Sequence, residues 1–208
     1  MNVPQLRRYT DLPALLYLLR NKRLTFLDPT LWDDKNDACY IEVYRNKEKL
    51  PAVLALCFTE KNETYHHWSV FTSRENGICI VFDRDSLIAS LGKEARVIHG
   101  PVKYKTLNGM RNRRPRLEDL PFLKRHAFQD ESEYRFIYRC KQNNVKTKDI
   151  SIPLSCISKI SVNPWAPSQF FSVIRDVVKE IQGCSSIRIG KSSLINNKEW
   201  MRLCQERG

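Results

Sequence analysis

The apolar residues of this chain come in short runs, and that limits what it can build. Ala52–Phe58 and Ile78–Phe82 are the longest. Both have the length of a buried strand and neither approaches a membrane span. Between such runs lie helical stripes. Leu12, Leu15, Leu16 and Leu19 follow the i, i+3, i+4, i+7 rule. Thr10 or Asp11 suits the cap of that helix, Pro13 its first turn, and Arg20, Lys22 and Arg23 its C-terminal end. Phe170, Ile174, Val177, Val178 and Ile181 form a second stripe, with Ser168 as its cap. Shorter helices are predicted over His66–Phe71, Asp85–Leu91, Leu117–Phe128 and Asn197–Cys204. Strands are predicted over Leu24–Leu27, Arg96–Tyr104, Tyr134–Arg139, Ile150–Leu154, Ile157–Val162 and Ser185–Ile189. Leu31–Asp37 reads as a polar loop anchored by Trp32. Strands and helices mix without regular alternation, so the fold class is α+β rather than doubly wound α/β. At 208 residues the chain suits a single domain, 1–208.

The charge is uneven. The chain carries 35 Lys and Arg against 23 Asp and Glu. Lys103–Arg125 alone holds eight basic residues against Glu118 and Asp119. So concentrated a patch favours a polyanion, and nucleic acid is the reading preferred over a solvated face. The candidate contacts are Lys103, Lys105, Arg111, Arg113, Arg114, Arg116 and Lys124. The N-terminal residues show no apolar signal region. The seven cysteines have no CxxC spacing, so reduced thiols in a cytoplasmic protein are expected, with no membrane partner. His66 and His67 find no third ligand at a metal spacing, so no metal site is expected.

Four segments hold candidate chemistry. Glu131 and Glu133 flank Ser132 where a strand begins, and residues two apart on a strand share a face. Paired carboxylates can divide protonation states or stabilise a developing cation. A structural ion pair between Glu133 and Arg135 is the plainer alternative. Trp68 and Phe71 are aromatics of the kind that line a slot for a flat ring, or else anchor a core. Arg8-Tyr9-Thr10 offers a guanidinium for a pyrophosphate and a ring for a ribose, or else an edge strand before a helix. Asp33, Asp34, Asn36 and Asp37 can hold a cation or ligand hydroxyls, or form an Asx-rich turn.

In their order these segments resemble a bacterial domain family of formally unassigned function, common near phage-defence and toxin–antitoxin operons. The matching pieces are Arg8-Tyr9-Thr10 before the leucine-rich helix, then Leu24–Asp37 with its Pro29, Trp32 and Asn36. Cys57-Phe58-Thr59 follows, then Trp68, Phe71 and Gly77 before Ile78–Asp83, and finally Lys124, Phe128 and Glu131-Ser132-Glu133-Tyr134-Arg135. They span most of the first 140 residues. The chain departs at Ala38, where proline is usual, and at Phe71, where tyrosine is commoner. The layout is also similar to ADP-ribosyltransferase toxins that modify nucleic acid, of the DarT type and of the CmdT type from a toxin–antitoxin–chaperone system.

That resemblance implies an ADP-ribosyltransferase-like fold of two small packed β-sheets flanked by helices, with NAD as substrate. It implies Glu133 and Glu131 as catalytic carboxylates, and Arg8, Tyr9, Thr10, Trp68, Phe71 and Asn36 as the NAD contacts. Transfer of ADP-ribose to RNA or single-stranded DNA follows, with an acidic antitoxin, and a chaperone in some systems, as partners. A metal-dependent nuclease using Asp33, Asp37, Glu131 and Glu133, or a non-catalytic nucleic-acid-binding module, are the competing readings.

Overall fold

A computed structural model describes residues 4–206. In chain order the elements are β1 (Gln5–Asp11), α1 (Leu12–Asn21), β2 (Arg23–Leu27), α2 (Lys35–Lys47), β3 (Ala52–Thr59), α3 (Tyr65–Phe71) and β4 (Gly77–Asp83). They continue with α4 (Arg84–Leu91), β5 (Val97–Pro101), β6 (Lys103–Lys105), α5 (Leu107–Asn112), β7 (Leu123–Arg125), β8 (Glu133–Cys140) and β9 (Thr147–Ser151). β10 (Ile157–Val162), α6 (Ser168–Glu180), β11 (Arg188–Lys191) and α7 (Lys198–Gln205) complete the chain. Short 3-10 turns cover Pro29–Leu31, Leu117–Phe122, His126–Glu131 and Leu154–Cys156. The α+β class expected from the sequence is the class observed, with a small two-stranded sheet besides the longer strands and helices flanking them. No helix among the described residues is long and apolar enough to cross a membrane.

The chain divides into two compact units. The first takes the described residues of Met1–Lys22 and Pro153–Gly208 together with Lys61–Arg84. Its strand order is β11-β10-β4-β1, with β10 parallel to β11 and the other pairs antiparallel. β1 pairs along its whole length with β4, from Gln5↔Asp83 to Asp11↔Gly77. Asp11 ends β1 and caps α1, accepting from the Ala14 N–H at 2.8 Å. α1 packs on β1 and β4 through its leucine stripe, with Leu15, Leu18 and Leu19 buried. On α3, Trp68 lies fully enclosed with Cys79, Val81, Tyr9 and Trp165.

The second unit takes Arg23–Glu60 and Asp85–Ile152. Its strands run β9-β2-β3-β8-β5, all antiparallel, and β6 pairs with β7 in parallel. β8 alternates strictly. Tyr134, Phe136 and Tyr138 take one face, where Phe136 meets Phe58 edge-on and Tyr138 meets Phe26. Glu133, Arg135 and Ile137 take the other, under α2, where Ile41, Tyr44, Val53, Ala55, Leu120 and Ile137 form a core.

Several boundaries differ from the sequence reading. Leu117–Phe128 is not a helix: two 3-10 turns flank the extended β7, because Pro121 has no N–H to donate and restricts the residue before it. α2 replaces the end of the loop read over Leu31–Asp37 and runs on to Lys47. Its buried stripe is Asp37, Ile41 and Tyr44, and a stripe that opens on an aspartate does not register as apolar. Ser168 is the first residue of α6 and makes no capping bond. The strand read over Ile150–Leu154 ends at Ser151, ahead of Pro153, and the last strand lies at Arg188–Lys191.

Gly77 is fixed by space rather than by dihedral. A Cβ there would stand 2.5 Å from Thr72 Oγ1 and 2.7 Å from the Ser73 carbonyl oxygen, which accepts the Gly77 N–H. Gly77→Ala is therefore expected to lower stability by about 1–3 kcal/mol as an overpacking change. A urea melt measures it, and an unchanged midpoint would contradict this packing.

Candidate active site

Arg135 organises the second unit. It is fully buried, and each of its guanidinium nitrogens has an acceptor. Nε donates to Glu133 Oε1 at 2.5 Å and Nη2 to Glu133 Oε2 at 2.8 Å. Nη1 donates to Asp37 Oδ1 at 2.7 Å and to the Pro121 carbonyl at 3.2 Å, and Nη2 also donates to Asp37 Oδ2. The planar fork thus grips two carboxylates side by side, and the Trp32 ring lies 4.8 Å from its carbon. Asp37 reaches it because Asp34 caps α2, accepting from Asn36 N–H at 3.0 Å and Asp37 N–H at 3.4 Å. The cap starts the helix so that Asp37, Ile41 and Tyr44 share the inward stripe.

Glu131 enters from a different geometry than strand alternation. It ends the 3-10 turn His126–Glu131, and Ser132 turns the chain into β8 with a left-handed φ of 44°. Thr59 Oγ1 donates to the Glu131 carbonyl at 2.6 Å, the Ser132 carbonyl accepts from Glu60 N–H, and the Glu133 N–H donates to the Tyr104 hydroxyl. Both glutamates then reach one ammonium. Lys124 Nζ lies 2.6 Å from Glu131, 3.5 Å from Glu133 and 3.7 Å from Asp37, with the Phe128 ring 4.9 Å away. Three carboxylates therefore share two cations in a buried cluster.

Burial and that surplus of one anion together set the protonation. Burial pushes the Glu133 carboxyl up, but Arg135 and Lys124 outweigh it and hold it down at about 2. The Cys57 thiol adds a hydrogen bond in the same direction. Glu131 goes the other way. Burial raises it, Lys124 opposes, and the neighbouring Glu133 charge adds to the rise. Burial also raises Asp37 against its Arg135 pair. Glu133 is the permanent anion and Glu131 the more readily protonated partner, although the cluster titrates as a unit.

The other expected site residues fall as follows. In the first unit Tyr9 stacks on His67 at 5.3 Å between centroids and meets Trp68 edge-on at 5.1 Å, and His67 lies 5.9 Å from Phe71. The Tyr9 hydroxyl is buried beside the Cys79 thiol without a well-formed hydrogen bond. Trp68 spends its indole N–H on Glu63 at 2.6 Å, so it is a core anchor, whereas Phe71 keeps an exposed ring. Arg8 and Thr10 are half-buried on β1. In the second unit Asn36 is exposed and donates to Asp34.

The basic residues split. Lys103 and Arg116 are paired with Asp119 at 2.8 and 3.0 Å, and Lys124 is bound within the carboxylate cluster rather than presented to solvent. Lys105, Arg111, Arg113 and Arg114 are exposed. Among the described residues no group of three or more His, Cys, Asp or Glu is arranged to hold a metal ion. The sequence reading counted Lys124 among the nucleic-acid contacts and Asp37 in a polar turn or a nuclease set, and it missed Tyr104. The spacing Lys124, Glu131, Glu133, Arg135 was the available signal.

No protein-family model and no curated protein matches the chain. Among solved structures it is similar to Thermus sp. 2.9 DarT in complex with ADP-ribosylated ssDNA, at 13% identity and a TM-score of 0.49, over 95% of this chain and 96% of that one. It is similar as well to the same protein in complex with NAD+, at 13% identity and a TM-score of 0.48, over 96% of this chain and 98% of that one. The complex with carba-NAD+ matches at 12% identity and a TM-score of 0.48, with the same coverage.

The cluster makes stability predictions. Arg135→Met strands two buried carboxylates and is expected to cost about 3–5 kcal/mol. Glu133 is held below the ordinary carboxylate value of roughly 4.3, so its contribution is whole above that pH and is lost as pH falls through about 2. Glu131 is raised, so its ionisation opposes folding at neutral pH. In thermal melts at pH 7, Glu133→Gln should lower the midpoint and Glu131→Gln should leave it equal or higher. The Glu133→Gln deficit should narrow as pH falls from 5 towards 2. An equal loss in the two variants at pH 7 would contradict the assignment.

Proposed function

We propose that the chain is a toxin-type mono-ADP-ribosyltransferase that moves ADP-ribose from NAD to a base of RNA or single-stranded DNA. The observation that carries this reading is the pair of glutamates on one ammonium whose surroundings push their protonation apart, at the motif on which the sequence resemblance rests. Residues of three separated motif segments, Trp32 and Asp37, Cys57 and Thr59, and Lys124 to Arg135, gather around that pair.

The chemistry assigned to the pair is direct. The bond between nicotinamide and ribose C1′ breaks with its electrons leaving on nicotinamide, and C1′ develops cationic character. Glu133, ionised at every physiological pH, stabilises that cation and accepts from a ribose hydroxyl. Glu131 takes the proton of the attacking acceptor group as its bond to C1′ forms. Lys124 holds both carboxylates in place, and Arg135 fixes Glu133 from behind. In the first unit, Arg8 and Thr10 are assigned to the NAD phosphates and ribose, and Phe71 to the nicotinamide ring. Tyr9 is assigned to the NAD ribose, with Trp68 supporting its ring. Asn36 is assigned to a ligand hydroxyl. We assign the protein to the cytoplasm, in phage defence or a toxin–antitoxin system, with an acidic antitoxin over its exposed cations and a chaperone where the antitoxin needs one.

A second reading has one observation in its favour. Both Glu133 oxygens already accept from Arg135, as in a purely structural pair, which leaves a nucleic-acid-binding module without catalysis.

Pure protein incubated with labelled NAD and single-stranded DNA or RNA separates the two. The enzyme reading expects label on the nucleic acid and free nicotinamide. Glu133→Gln should reduce both on the order of a hundredfold or more, and Glu131→Gln should lose transfer more than nicotinamide release. No label and no nicotinamide from folded wild-type protein would overturn the enzyme. Magnesium-dependent cleavage of the strand without NAD would point to a nuclease instead.

A further inference from the structure

The basic segment is not a uniform patch. Of its eight cations, Lys103, Arg116 and Lys124 are already spent on Asp119, Glu118 and the carboxylate cluster. Lys105, Arg111, Arg113, Arg114 and Arg125 form no ion pair among the described residues. Three of these five converge. A cleft of about 380 Å³ is lined by Lys105, Arg111, Arg125 and His126, with Asn108 and Leu107 on its wall. Asn108 Oδ1 accepts from Arg111 Nη1 at 3.2 Å, which orients the guanidinium. No carboxylate lines the cleft.

The strand pairing sets like charges side by side. β6 and β7 are parallel, with Tyr104 opposite Lys124 and Lys105 opposite Arg125. The Tyr104 hydroxyl accepts from the Glu133 backbone N–H, and the Lys124 ammonium engages the carboxylate cluster. One step on, Lys105 and Arg125 are exposed, so two like charges stand directly across a strand pair with no anion between them. Such pairs repel, and an anion seated between them removes the repulsion. The turn His126–Glu131 then runs from this cleft to Glu131.

We propose that this cleft seats the phosphodiester backbone of the single strand that receives ADP-ribose, with Lys105 and Arg125 on one phosphate, Arg111 on a neighbouring one and the 61%-exposed Leu107 against a base. The inference rests on the nucleic-acid reading above and adds the location and the residues, among them Arg125 and His126. A phosphate ester could also arrive as the diphosphate of NAD. The strand is favoured because the cleft is open and the exposed Arg113 and Arg114 lie just beyond Arg111 in the chain, which lengthens the cationic track past one dinucleotide. A duplex is disfavoured because its bases are paired and stacked, which leaves none to meet Leu107.

The test is binding, so it does not depend on catalysis. A 5′-labelled single-stranded 12-mer is titrated by anisotropy across a salt series, against wild-type protein, the Lys105→Gln/Arg111→Gln/Arg125→Gln variant and the Lys103→Gln/Arg116→Gln variant. NAD is titrated in parallel by calorimetry. The triple variant should bind the oligonucleotide at least about tenfold more weakly, with a log–log salt slope shallower by about 2. The variant of the two paired cations should change less. All substituted groups are exposed, so the fold should survive, and a thermal melt checks it. Equal losses in the two variants, a duplex bound as tightly as the single strand, or a loss confined to NAD would each overturn the assignment. If wild-type protein binds the strand through these residues yet releases no nicotinamide, the enzyme reading fails and the strand site stands.

Discussion

A fully enclosed guanidinium between two carboxylates is the interaction on which the second unit depends. Removing a charge of that size from water costs several kcal/mol per ion, recovered only when each donor finds an acceptor. Arg135 meets that condition with Glu133 on its own strand, Asp37 at the start of α2 and the Pro121 carbonyl. The pairing ties α2 and the 117–122 turn to β8 at one point. It also takes over the face of β8 that Ile137 shares with Ile41, Tyr44 and Leu120. An ordinary core residue at position 135 would pack there and would fix no carboxylate.

Lys124 changes that structural knot into something with chemical potential. Two cations can balance two carboxylates, and the cluster holds three. Protonation is then easier at Glu131 and Asp37, both pushed up by burial, than at Glu133. Glu133 has Arg135 on both oxygens, whereas Glu131 takes its close ion pair from Lys124. Inequality between neighbouring carboxyls is what acid–base and cation-stabilising sites need, and here it arises from the turn at Ser132 and the position of β7.

Much of this was legible in the chain. The apolar runs placed β3 and β4, the leucine stripe placed α1, and the spacing of Glu131, Glu133 and Arg135 marked the centre of the cluster together with its ion pair. α2 was not legible, because its inward stripe begins with Asp37, which is apolar in position and charged in kind. Lys124 was assigned to the basic patch because composition counts charges without showing which are already paired. The 3-10 turns on either side of β7 were hidden behind an apolar stripe that looks helical until Pro121 is weighed. In each case a tertiary partner decided what the local pattern left open.

Glu133 is proposed to work on the sugar of NAD rather than to serve Arg135 alone. The most direct measurement is a crystal structure of the protein with a non-hydrolysable NAD analogue. A catalytic Glu133 places its carboxylate within hydrogen-bond distance of a hydroxyl on the nicotinamide ribose, with Lys124 still on Glu131. An analogue bound with its ribose away from Glu133, and Glu133 still engaged only by Arg135 and Lys124, would contradict it.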